Sequence, residues 1–201
     1  MTLIHRLVLL ALCVFLCSAG AYSSEQAGQR PVKNAVAKLY SDNAKERSDA
    51  AHRLAAAGPS AVPLLVRVIC DRTKSHFDVA WPVAAKILGD LKAEAAAPCL
   101  VDLLMYEYPS IGPVSEKSDE TLAAADPAFA ALIHIGEPAV PAIKRRLPFL
   151  GPDPAIMALR VLRTIKTPSA REAAEDYMKI LQDQVRIAGQ VLRDFGERPG
   201  G

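Results

Sequence analysis

No apolar run in this 201-residue chain is long enough to cross a bilayer: the longest, Leu7–Ala19, has 13 residues against the roughly 20 that a spanning helix needs. A bundle of membrane helices is therefore not expected. An excess of one charge is missing too, since 24 basic residues face 22 acidic ones. Domains that neutralise nucleic-acid phosphates usually carry a strongly basic balance, so no nucleic-acid partner is expected. Cysteine is scarce, with four residues in the whole chain. No nucleophile elbow, phosphate-binding loop or paired-cysteine zinc motif occurs. What is present is a 23% charged share, which argues against a disordered chain and for one domain or a short array.

His5 and Arg6 precede the apolar run and Ala19-Gly20-Ala21 follows it. Positive end, apolar middle and small-residue cleavage site are the order of a secretory signal peptide, here residues 1–21. Leu12 and Leu16 stand before Cys13 and Cys17, where lipoprotein processing requires a small residue. The expectation is a soluble, exported chain, periplasmic or extracellular, with no stable membrane insertion after cleavage. Cleavage leaves 23 basic against 22 acidic residues, and Cys70 and Cys99 as the remaining thiols.

The segment 50-AAHRLAAAGPSAVPLLVRVI-69 recurs as 84-AAKILGDLKAEAAAPCLVDLL-104, as 128-AFAALIHIGEPAVPAIKRRL-147 and, more weakly, as 158-ALRVLRTIKTPSAREAAEDYM-178. Leu54, Leu88, Leu132 and Leu162 fall in register at offsets of 34, 44 and 30, which are repeat-sized. Within a copy, apolar residues recur at helical spacing on either side of a break such as Gly58-Pro59-Ser60 or Gly136-Glu137-Pro138. Each copy therefore predicts a helix hairpin, with Pro63, Pro98 and Pro141 in or near the first turn of the second helix, where proline is tolerated. One such hairpin cannot bury its apolar face alone and needs stacked neighbours.

These motifs, 58-GPSAVPLL-65, 136-GEPAVPAI-143 and Asp78 leading to 84-AAKILGDL-91, resemble those of the HEAT-repeat family, in particular the short HEAT-like repeats of phycobilin lyases. The resemblance covers roughly residues 34–182. Trp81-Pro82 departs from it where the family often has an arginine after valine. It implies an all-α, right-handed α-solenoid of about four HEAT-like helix hairpins with capping helices, the second helices lining the concave side. Residues 34–195 are assigned to the array, with Asn34 capping an opening half-unit and 183–195 forming a separate closing helix. Residues 22–33 read as a flexible linker and 196–201 as a disordered tail. In this register Cys99 aligns with Leu64, six residues before Cys70. About 9 Å along the axis plus roughly 10 Å between helices exceeds the ~7 Å Cα separation of a disulfide. Two unpaired thiols are predicted, Cys99 buried and Cys70 partly so.

Four residues after the aligned prolines stand Arg67, Asp102 and Arg145, with Glu175 in the equivalent place of the fourth copy. This alternating row is either a ladder of weak surface ion pairs or a grip on an extended polypeptide of mixed charge. Lys144, Arg145 and Arg146 form a dense basic cluster that suits the helix dipole. The loop 106-YEYPSIGPVSEKS-118 lengthens the second-to-third spacing, and its Tyr106 and Tyr108 either dock a partner or fold back to seal the gap. Trp81 reads as packing.

His134 and Glu137 read as H-x-x-E, but Gly136 between them opens a turn. His52, His76 and His134 occupy different places in the repeat and do not stack into a metal site. The repeated adjacent His-Glu pairs of iron-binding HEAT-like hydroxylases do not occur. No catalytic residue, cofactor or metal is expected. The expectation is a protein-binding or scaffolding module with a protein partner; the alternative implied by the resemblance is a chromophore-lyase-like or other enzyme-accessory protein.

Overall fold

Apolar residues spaced for helices, interrupted by turns that need a left-handed residue, set the architecture. The computed structural model describes residues 30–106 and 113–196, and among the described residues all regular structure is helical. In chain order the helices are α1 (30–38), α2 (Ala44–Ala57), α3 (Val62–Cys70), α4 (Phe77–Asp90), α5 (Ala97–Asp102), α6 (Asp119–Ala125), α7 (Pro127–Ile135), α8 (Val140–Arg146), α9 (Pro152–Ile165) and α10 (Pro168–Gly196). Helices α2, α4, α7 and α9 contact one another in that order, and so do α3, α5, α8 and α10. A single apolar core runs through both sets.

The repeated turns share one device. A positive φ ends the first helix of each copy: Gly58 (58°), Lys92 (50°), Gly136 (74°) and Lys166 (59°). In the first three copies a short 3-10 turn follows, at Gly58–Ala61, Glu94–Ala96 and Glu137–Ala139, and then a second helix with proline in its first turn. The stretch Ala44–Cys70 is long and apolar enough to span a membrane by composition. Gly58 breaks it into two helices, and Leu54, Leu65 and Ile69 enter the core.

Helices α4 and α7 pack closely. A Cβ added to Gly89 would lie 2.8 Å from the Ala131 Cα, so two small residues set this contact. Trp81 on α4 is fully buried, as expected of a packing residue.

Several boundaries differ from expectation. Residues 30–33, assigned to the linker, are already helical, because Pro31 suits a first turn and Val32, Ala35 and Leu39 supply a buried face. Asn34 consequently lies inside α1; the cap is Asn43, whose Oδ1 accepts from the Lys45 and Glu46 amides at the start of α2. The closing half-unit at 183–195 is not separate: α10 is one helix of 29 residues that includes Gly196. No glycine or proline interrupts residues 169–188, so nothing ends the helix there. The expected signal peptide, residues 22–29 of the linker and residues 197–201 of the tail lie outside the described residues.

The thiols are also corrected. Cys70 and Cys99 form a disulfide with Cα atoms 5.4 Å apart. The expectation placed aligned residues at equal height on neighbouring helices. Instead α5 is six residues long and slipped along α3, so that the Asp102 carbonyl at its end accepts from Arg72 Nη2 (2.6 Å), just beyond Cys70. A slip of about six residues brings Cys99 beside Cys70. Cys70 is exposed and Cys99 half-buried, so neither burial expectation holds.

Candidate functional site

The prolines that open the second helices also shape the surface between them. Pro98 at the start of α5 and Pro138 and Pro141 around the start of α8 line a groove of about 510 Å³, with Glu94 and Arg145 on it. Both charged residues are exposed, and neither makes an ion pair among the described residues. Rigid apolar rings and two free, opposite charges can hold an extended chain by shape and charge pattern.

The row predicted from the repeat is only partly assembled. Arg145 lies on the groove, and Arg67 is exposed on α3 without an ion pair among the described residues. Asp102 is committed elsewhere: its carboxylate pairs with Arg146, the neighbour of the expected residue. Glu175 accepts from Arg171 Nε within its own helix (2.7 Å). The cross-helix ties come from residues flanking Arg145. Lys144 bridges to Glu172 (3.0 Å) and Asp176 (2.8 Å) on α10, while Arg146 reaches α5. The basic cluster thus fastens α8 to both neighbours and leaves its middle residue on the groove. Hydrogen bonds to Asp176 and Glu172 push the Lys144 ammonium pKa up, and hydrogen bonds from Lys144 and Lys179 hold Asp176 below the usual carboxylate range.

The insertion between the second and third copies is tied to the body at both described ends, although Tyr106 stays 42% exposed. Tyr106 packs edge-on against Phe77 (5.5 Å) and Trp81 (6.4 Å), with the Arg72 guanidinium 5.0 Å from its ring centre. Tyr108 and Ile111 lie outside the described residues. Val114 is buried, and Arg160 on α9 donates to the carbonyls of Val114 (2.8 Å) and Lys117 (2.5 Å) and to Asp119 Oδ1 (2.6 Å). Arg163 Nη2 adds a bond to Asp119 Oδ2 (2.7 Å). Burial would raise the Asp119 pKa, but the hydrogen bonds from Arg163 and Arg160 outweigh it and hold the carboxyl below its ordinary range.

Sequence reasoning missed this clamp and missed Asp126. Asp126 is the buried charged residue among those described, 1% exposed, and caps α7 by accepting from the Ala128 and Phe129 amides (2.8 and 3.0 Å). Its second oxygen accepts from the Met105 amide (2.8 Å), joining α7 to the start of the insertion. Burial raises its pKa despite these three amides. Asp followed by proline at the head of an apolar helix was the available signal.

The histidines go separate ways. His134 Nδ1 sits 3.3 Å from Asp90, whereas Glu137 accepts from Ser169, so the H-x-x-E pair serves two different contacts. His76 Nδ1 lies 3.3 Å from Asp42. Among the described residues no cluster of three metal-ligating side chains forms. No family model, curated protein or solved structure matches this chain.

Proposed function

We propose that this chain is an exported, right-handed α-solenoid of about four HEAT-like hairpins, and that it serves as a scaffold that binds an extended segment of another protein. The solenoid reading is supported by the ordered contacts of α2, α4, α7 and α9 and of α3, α5, α8 and α10, and by the turn device repeated in each copy. Export is supported by the disulfide, since such bonds persist in oxidising compartments. It carries no catalytic role in this reading, and no cofactor.

The observation that carries the binding role is the proline-walled groove between α5 and α8, with Glu94 and Arg145 both lacking an ion-pair partner among the described residues. Proline rings offer apolar surface at little entropic cost, and two opposite charges fix the direction and register of a bound chain. The partner segment is therefore an extended peptide with a basic and an acidic residue flanking an apolar stretch.

A peptide-display selection on the purified protein tests this. Enriched peptides should bind with an affinity that falls at least ~10-fold, about 1.4 kcal/mol, on Arg145→Glu and recovers for peptides with the acidic residue reversed. Peptides that bind Arg145→Glu and Glu94→Lys as well as the parent would refute the groove as the binding surface.

A further inference from the structure

The last helix leaves the body of the protein. Its first half packs on α8 and α9, while Val185 is 73% and Leu192 71% exposed. Along it, Ala174, Met178, Leu181, Val185, Ala188 and Leu192 are spaced alternately by four and three residues. That is the heptad seam of a coiled coil. The base of the seam is already a groove of about 600 Å³, walled by Leu159 and Leu162 of α9 and by Ala170 and Ala174 of α10.

The opposite face of α10 carries its charges in balance, beside the exposed Ile180 and Ile187. Residues 175–193 carry three acids, Glu175, Asp176 and Asp183, and three bases, Lys179, Arg186 and Arg193. Lys179 pairs with Asp176 (3.1 Å) and Arg186 with Asp183 (3.2 Å) inside the helix. A helix that lies on an anionic bilayer needs a basic polar face, and this one has no net charge.

We propose that a second copy of this chain covers the seam, the two α10 helices pairing antiparallel about a two-fold axis at residue 183. In an antiparallel pair an a position faces a d position, so partners are residues whose numbers share one sum. Ala174 then faces the partner's Leu192, Met178 faces the partner's Ala188, and Leu181 faces the partner's Val185. Every layer but the two central ones sets a large side chain against a small one, as a filled core requires. The partner's Leu192 enters the groove that Leu159 and Leu162 wall. Flanking the axis, Gln182 and Gln184 each meet their own counterparts, so no like charges oppose. A parallel pair would instead stack Ala174 on Ala174 and Ala188 on Ala188, leaving voids in two layers.

The contact is isologous and closes, which yields a dimer and no fibre. Met178, Val185 and Leu192, 47%, 73% and 71% exposed, supply most of the area; with two alanines and the half-buried Leu181 the pair buries about 1,000 Å² at most, the size of a weak, transient contact. The expected dimer is therefore a weak one, tested over the micromolar range.

Sedimentation velocity on the purified protein should give twice the chain mass at about 100 μM and a concentration-dependent shift towards the monomer below ~1 μM. Val185→Asp, at an exposed position, should give a monomer with an unchanged circular dichroism spectrum. Orientation is read by single cysteines: Gln184→Cys should crosslink between copies with a short bismaleimide. Arg193→Cys should not, since antiparallel packing puts the two sites about 30 Å apart along the axis. A monomer at the highest concentration, a dimer that survives Val185→Asp, or efficient crosslinking of Arg193→Cys would each overturn the proposal. Cosedimentation of the parent, but not Val185→Asp, with vesicles containing anionic lipid, in the absence of a dimer, would overturn it in favour of a membrane surface.

Discussion

The contact between α4 and α7 and the distal half of α10 are both helical, yet they are held by different means. At the first, Gly89 lies against Ala131, and Trp81, Leu88, Phe129 and Leu132 are fully buried nearby. At the second, the helix is kept by its own hydrogen bonds and by local pairs such as Arg186 with Asp183, while its apolar residues face outward. Pairs of that kind contribute a few tenths of a kcal/mol each, whereas burying one large side chain contributes about 1.5–3 kcal/mol. The same secondary structure therefore marks a rigid core in one place and an unsatisfied surface in the other.

Four substitutions break or sharpen that contrast, read by urea unfolding followed by circular dichroism. Phe129→Ala removes the fully buried ring of α7 from the core and should destabilise the protein by about 3–5 kcal/mol. Cys70→Ser releases the bridge that closes a separation of 29 residues, and should cost about 2–4 kcal/mol, with the parent dropping to the same level in reductant.

Asp119→Asn loosens the clamp that holds the insertion to α9 and should cost about 1–3 kcal/mol. Its pH dependence has a definite sign. A carboxyl depressed in the folded state contributes stability above its unfolded pKa and loses it as the pH falls through the folded value. The gap between parent and Asp119→Asn should therefore narrow on acidification. Asp126, raised by burial, acts in the opposite direction, since its charged form is the one the fold disfavours. Finally Ile187→Ser, on the exposed half of α10 and off the heptad seam, should change stability by no more than about 0.5 kcal/mol.

The parts of the fold that were legible in the residues are those fixed by local rules. Helix hairpins followed from apolar spacing, the turns from Gly58 and Gly136, and the tolerance of Pro63, Pro98 and Pro141 from their place in a first turn. What was illegible depended on how neighbouring helices slide. The pairing of Cys70 with Cys99 needs a slip of α5 that no single copy encodes. Arg146, in place of Arg145, meets Asp102 because one residue turns a side chain by about 100° around a helix, which decides whether it faces a neighbour or a groove. The helix running unbroken past residue 183 could have been read, since residues 169–188 contain no glycine or proline. The repeat pattern suggested a division that helix chemistry did not support.

The bridge between Cys70 and Cys99 spans the exposed turn 71–76, which carries Arg72 and Lys74. A trypsin-like protease that nicked the chain there would yield two pieces still joined covalently around the cut. The severed protein would keep its helices in reach of one another and could close up again.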